Sequence, residues 1–195
     1  MSLAVRPLTG SELTGAIDAL AALRTAVFAD WPYLYDGDAE YERHYLREFI
    51  AAEDSVLIAA YDGDAIVGAA TASPMWAQKD EFCQPFEQRG LDTSKLFYFG
   101  ESVLLPAYRG QGIGHAFFDH REAQAKACGA TAACFAAVIR PTDHPDRPAD
   151  YVPLDAFWAR RGYAPVPGLV TGLAWKDHRD SGETEKPMQY WMRQF

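Results

Sequence analysis

Six consecutive residues, Arg109-Gly110-Gln111-Gly112-Ile113-Gly114, carry the clearest chemical signal in the chain. Glycines at alternate positions let a backbone approach a ligand without obstruction from a Cβ. Behind them Ile113, Ala116, Phe117, Ala123 and Ala127 recur at helical spacing, with Asp119, Arg121, Glu122 and Lys126 on the other side and Gly129 as the stop. The first N–H groups of a helix have no intrahelical acceptor, and the helix dipole makes that end positive. A glycine loop opening such a helix is therefore an anion site, most simply for phosphate or pyrophosphate. Arg109 adds a fixed cation, or braces the loop. Taken alone, a glycine triplet is equally an ordinary turn with no ligand.

The element that must position this loop is the strand before it. Leu96–Leu105 is rich in aromatic and aliphatic residues and is stopped by Pro106, which has no ladder donor. Glu101 stands in its middle among apolar neighbours. Three kinds of loop can be compared with this one. A Walker loop ends Gly-Lys-Ser/Thr, but His115 follows Gly114 here. A dinucleotide fingerprint has a third glycine where Phe117 stands, and an acidic residue closing the next strand; Thr131–Ile139 has none. Gly100-Glu101-Ser102-Val103-Leu104 lacks the second glycine of a nucleophile elbow.

The remaining pattern, (Gln/Arg)-x-x-Gly-x-(Gly/Ala), resembles the pyrophosphate motif of the GNAT acetyltransferase superfamily. Val103-Leu104-Leu105-Pro106-Ala107-Tyr108 is similar to that family's strand before the loop. Downstream, Phe157-Trp158-Ala159-Arg160-Arg161-Gly162-Tyr163 resembles its "Phe-Tyr-x-x-x-Gly-Phe" helix end, and the two motifs stand in the family's order. The resemblance implies an α/β (α+β) fold in one domain, residues 1–195: a mixed, mostly antiparallel central sheet of about six to seven strands flanked by helices.

The resemblance also implies a reaction, acetyl transfer from acetyl-CoA to a primary amine by direct attack in a ternary complex. Glu101 is the candidate base, or a carboxylate paired with an arginine or with the acceptor's ammonium. Val103 and Leu105 would meet the pantetheine arm through their backbones, and an N–H there would stabilise the oxyanion. Gly110, Gln111, Gly112, Ile113, Gly114 and His115, with Arg109, would hold the pyrophosphate. Trp31, Tyr33 and Tyr35 would touch the acceptor, or only anchor their own loop. Trp158 replaces the tyrosine that protonates the leaving thiolate in many members, and an indole cannot do that. Tyr151 is the substitute candidate; water is the other. The Trp158 departure leaves a non-catalytic acyl-CoA sensor as the alternative function, ahead of a dinucleotide-dependent oxidoreductase.

Composition limits the partners. The 195 residues are 49% apolar and 23% charged, an ordinary globular balance, and the formal net charge is −9. A wide nucleic-acid footprint is excluded by that sign, whereas a small-molecule or peptide amine suits it. Cys83, Cys128 and Cys134 form no disulfide framework. The histidines are scattered, and His115 and His120 are five apart on their helix rather than four, so no metal is expected. No apolar run reaches signal or membrane length, so a cytoplasmic protein with no membrane partner is expected.

The flanking elements follow from periodicity. Leu3–Leu8 reads as a strand, and Ser11 as the cap of a helix with Leu13, Ile17, Leu20, Leu23, Val27 and Phe28 on its core face. Asp38 caps a second helix to about Ala52. Ser55–Tyr61 and Ala65–Ser73 form a hairpin around Asp62-Gly63-Asp64. Met75–Ser94 reads as a long loop with room for one helical turn. Arg140–Pro153 is a proline-rich loop, Leu154–Arg161 a short helix, and Tyr163–Trp175 a broken strand. Met188–Phe195 is a last strand, offered as the contact of a possible homodimer.

Overall fold

The computed structural model describes residues 3–195. Its strands are β1 (Leu3–Pro7), β2 (Val56–Asp62), β3 (Ala65–Pro74), β4 (Leu96–Leu104), β5 (Ala132–Val138), β6 (Ala164–Trp175) and β7 (Thr184–Gln194). Its helices are α1 (Ser11–Phe28), α2 (Ala39–Ala51), α3 (Asp80–Glu87), α4 (Ile113–Ala127) and α5 (Asp155–Arg160). The strands form one seven-stranded sheet in the order β1-β2-β3-β4-β5-β7-β6. Every pairing is antiparallel except β4 with β5. This is the mixed sheet flanked by helices that the sequence implied.

Apolar stripes decide which face each helix covers. Ala16, Leu20, Ala21 and Leu23 of α1 pack with Leu46 of α2 on Leu57, Ala59, Ala69 and Val103 of the sheet. Phe118 and Ala125 of α4 pack on Phe97, Phe99, Ala133 and Phe135. Asp38 caps α2 as expected, its Oδ1 accepting from Tyr41 N–H at 2.7 Å. Ser11 does not cap α1: it is the first helical residue, and Gly10 before it makes no side-chain bond.

Two irregularities of β4 shape the site. Its parallel pairing with β5 covers only Leu96–Tyr98 against Ala132–Cys134. Beyond that, β5 continues along β7 while β4 continues along β3, so the two strands part. The second is a bulge. Phe99 opposes Ala72 and Ser102 opposes Ala70, which leaves Gly100 and Glu101 together opposite Thr71. One extra residue moves the following side chains to the other face of a strand. Phe97 and Phe99 accordingly pack under α4, whereas Val103 packs under α1 and α2.

Two expectations change. The segment 75–94 contains the two-turn helix α3, which packs Phe86 against Tyr190 with ring centroids 4.7 Å apart. The last strand is not an edge. Met188–Gln194 of β7 is hydrogen-bonded to β5, and β6 lies on its other side, so this segment is interior to the sheet and cannot pair with a second copy as the homodimer contact suggested for it requires.

Candidate functional site

The glycine loop is preceded by a short 3-10 turn, Pro106–Tyr108, whose Tyr108 hydroxyl donates to Asp62 Oδ2 at 3.0 Å. Gly110 and Gly112 have φ of +76° and +84°, left-handed conformations that favour glycine. Arg109 N–H donates to Pro106 O, and the next backbone bond is Ala116 N–H to Gly112 O. Among the described residues, the N–H groups of 110–115 donate to no backbone carbonyl. The loop and the first turn of α4 thus present a run of free donors at the positive end of a fifteen-residue helix. Arg109 braces this arrangement: its Nε donates to Leu104 O at 3.4 Å.

The opened edge of β4 leads to this cradle. Leu105 N–H donates to Val67 O at 3.0 Å, so it faces β3. In-plane backbone groups alternate in direction along a strand, so those of Val103 also face β3, while Ser102 and Leu104 turn theirs toward the gap beside β5. Val103 and Leu105, whose backbones the resemblance implies as cosubstrate contacts, thus turn their donors toward β3. The open donors are one residue away on each count, a parity that only the ladder reveals. Ser102 is exposed although it sits in a central strand.

The bulge aims Glu101 at α1 and α2. The Glu101 carboxylate pairs with Arg24 of α1 through one oxygen and accepts from Tyr45 OH of α2 at 3.2 Å through the other. Arg24 also donates to Glu42, which is 1% exposed. One buried guanidinium therefore serves two carboxylates, lying 4.3 Å from the centre of the Tyr45 ring and 5.1 Å from that of Phe28. Burial works against the Arg24 charge, but Glu101, Tyr45 and Glu42 raise its proton affinity above the ordinary value. The sequence held a signal for both partners. Arg24 and Glu42 are charged residues on otherwise apolar helix stripes, and long charged residues are seldom fully buried unless paired.

The aromatic loop forms the next wall. Tyr33 packs against Phe28 at 4.8 Å and Trp175 at 5.9 Å between ring centroids. Burial, with Glu101 and Tyr151 adding, pushes its phenol up to about 12. Trp31 meets Tyr151 edge-on at 5.9 Å and His144 at 5.1 Å. Trp31, Tyr33 and Tyr151 are thus gathered on one side. Tyr35 is separate: burial, then the charge of Glu42, pushes its phenol up. Burial also raises the phenol of Tyr151, which keeps it protonated at neutral pH. Trp158 packs against Phe135 at 5.0 Å and Trp191 at 5.1 Å, a core role. His115 lies 4.9 Å from the Phe157 ring, joining the start of α4 to α5.

The fold is thus a seven-stranded mixed sheet whose two parallel strands part beyond Tyr98, with a run of free backbone donors at the start of α4. The "Acetyltransferase (GNAT) family" matches residues 20–149, two thirds of the chain, and the chain belongs to that family. No curated protein matches it. Among solved structures, a ribosomal-protein-alanine N-acetyltransferase from Brucella melitensis is 13% identical with a TM-score of 0.65, covering 98% of this chain and 99% of its own. An N-acetyltransferase from Staphylococcus aureus Mu50 is 9% identical with a TM-score of 0.65, covering 100% and 99%. An aminoglycoside 6'-N-acetyltransferase complexed with coenzyme A is 16% identical with a TM-score of 0.62, covering 100% and 97%. At such identities the likeness is one of fold. No helix among the described residues is long and apolar enough to cross a membrane.

Proposed function

We propose that this protein moves an acetyl group from acetyl-CoA to a primary amine by direct attack in a ternary complex. The observation that carries the reading is the continuity between the open β4 edge at Ser102 and Leu104 and the free N–H groups of 110–115. The second suits a pyrophosphate and the first an extended amide arm, and Ser102 follows Glu101 directly on β4. The thioester supplies an activated acyl carbon when bound.

The roles then follow. Gly110–His115 bind the pyrophosphate through backbone N–H groups, with Arg109 holding the loop. Leu104 N–H donates to the carbonyl oxygen as it becomes an oxyanion. Glu101 attracts the acceptor's ammonium and takes its proton through water, since both of its oxygens already have protein partners. The amine nitrogen bonds to the acyl carbon and the carbon–sulfur bond breaks. Tyr151 protonates the departing thiolate, and the second proton shed by the nitrogen returns through water to the Tyr151 oxygen, giving an acetamide and free CoA. Trp31 and Tyr33 form the acceptor wall, with Tyr35 behind it. The acidic balance of the chain favours a small-molecule or peptide amine as partner.

The test is thermal shift with acetyl-CoA, CoA and NADH, followed by CoA release on tyramine, spermidine, kanamycin and an alanyl peptide. Ligand at 100 times its Kd adds about 2.7 kcal/mol, or roughly 5–10 °C for a domain of this size. Both CoA species should shift the wild type but not Gly112→Asp, and Glu101→Gln should lose turnover. A response to NADH alone would sink the reading. CoA binding without turnover on any amine would favour an acyl-CoA sensor, the function that the tryptophan at 158 leaves open.

A further inference from the structure

Arg140 lies two residues past the end of β5, the strand that parts from β4, and its side chain is 9% exposed. Its guanidinium joins two distant segments. Nη1 and Nη2 donate to the two oxygens of Asp177 at 2.7 and 2.9 Å. On the other side, Nε donates to Pro32 O at 2.8 Å and Nη2 to Tyr33 O at 2.7 Å. Asp177 is itself buried and is shared with Lys186, 3.4 Å away.

The rest of the aromatic loop is held at its later residues. Tyr35 N–H donates to Phe28 O, Asp36 N–H to Lys176 O, and Leu34 O accepts from His178 N–H. Tyr33 N–H donates to Asp30 O within the loop, but the carbonyls of Pro32 and Tyr33 are held by Arg140, with Trp175 Nε1 adding a bond to Tyr33 O at 3.0 Å. Arg140 therefore fixes the part of the loop whose side chains face Glu101 and Tyr151, and it does so from just past the strand that borders the opened gap. A planar fork is what such a site needs: it can engage a carboxylate and two carbonyls at once, which a single ammonium cannot.

We propose that Arg140 is a positioning residue for the acceptor: it sets the distance between the Trp31–Tyr33 wall and Glu101, and so governs acceptor affinity without touching the reacting atoms. The proposal rests on the acetyltransferase reading of the site. Arg140→Lys keeps the charge and loses the fork. Asp177→Asn weakens the fork from its far side and serves as the second variant. Arg6→Lys, on β1 at the far edge of the sheet, makes the same exchange of a fork for an ammonium in the exposed pair with Glu12, and serves as the control.

The measurements are steady-state kinetics on the best substrate among tyramine, spermidine, kanamycin and the alanyl peptide, and hydrogen exchange of unliganded protein. Arg140→Lys should raise the acceptor KM by about tenfold, the change that a lost hydrogen bond of this kind produces, with the KM for acetyl-CoA unchanged. Asp177→Asn should move it the same way, and Arg6→Lys should not. Exchange over residues 29–36 should accelerate in both variants while β4 and α4 stay protected. Equal changes in both KM values, or accelerated exchange with an unchanged acceptor KM, would overturn the proposal. If no amine is acetylated, the function fails and exchange alone decides the strut: unaltered protection at 29–36 overturns it, and selective loss there supports it.

Discussion

Thr71 stands where a side chain at position 100 would begin: a Cβ built on Gly100 would lie 2.4 Å from Thr71 Oγ1. The same hydroxyl accepts from Glu101 N–H at 3.3 Å. This pair holds the bulge that turns Glu101 toward Arg24 and Tyr45.

Gly100→Ala should therefore force the bulge apart. Overpacking of this kind costs about 1–3 kcal/mol. Adding Thr71→Ala removes the atom in the way, so the double variant should be more stable than the sum of the single effects predicts. Urea unfolding of the two single variants and the double measures the coupling. Additive losses would show that Thr71 does not set the bulge.

Arg24→Met would leave Glu42 and Glu101 without their shared guanidinium. Removing one partner of a buried ion pair costs about 3–5 kcal/mol, because the remaining charge stays desolvated. Chemical denaturation should register that loss. A loss below about 1 kcal/mol would place the cluster in the class of weak surface pairs.

Tyr151→Phe deletes a hydroxyl and little else. With Tyr151 as the acid, kcat should fall by about a hundredfold, and the KM for acetyl-CoA should hold. An unchanged kcat would assign the proton to water.

Alkaline pH should unfold the protein through its phenols. Burial pushes up those of Tyr33, Tyr45, Tyr98, Tyr163 and Tyr190, that of Tyr33 to about 12. An ordinary phenol ionises near pH 10. Above about pH 10 the unfolded chain thus holds fewer protons than the folded one, and stability falls as pH rises. It is fully present below that pH and is lost as pH climbs toward and past the folded values. Tyrosinate absorbance should rise first for exposed residues, then in one cooperative step with the loss of circular dichroism. A gradual titration with no structural step would contradict the burial of these rings.

Local pattern was enough for much of this molecule. The spacing of Ile113, Ala116 and Phe117 defines α4, the alternating glycines define its opening loop, and Asp62-Gly63-Asp64 defines the β2–β3 turn. Each depends on residues within a few positions of one another, where propensity and periodicity act. The helix α3 escaped notice because its eight residues include Pro85 and too few apolar positions to show a period.

From the sequence by itself came the strand, glycine loop and helix, the acidic balance that suits an amine, and the aromatic segment 31–35. Tertiary structure alone decided which way Glu101 points, since one bulged residue opposite Thr71 exchanges the two faces of β4. It also decided that Ser102 and Leu104, rather than Val103 and Leu105, offer their backbones to the gap, and that β7 lies inside the sheet. Those outcomes depend on ladder register, and on partners such as Arg24 and Arg140 that lie far from Glu101 or Tyr33 along the chain. Side-chain pattern marks Arg24 as a charge on an apolar stripe, but it carries no record of the ladder register or of which distant residue each arginine meets.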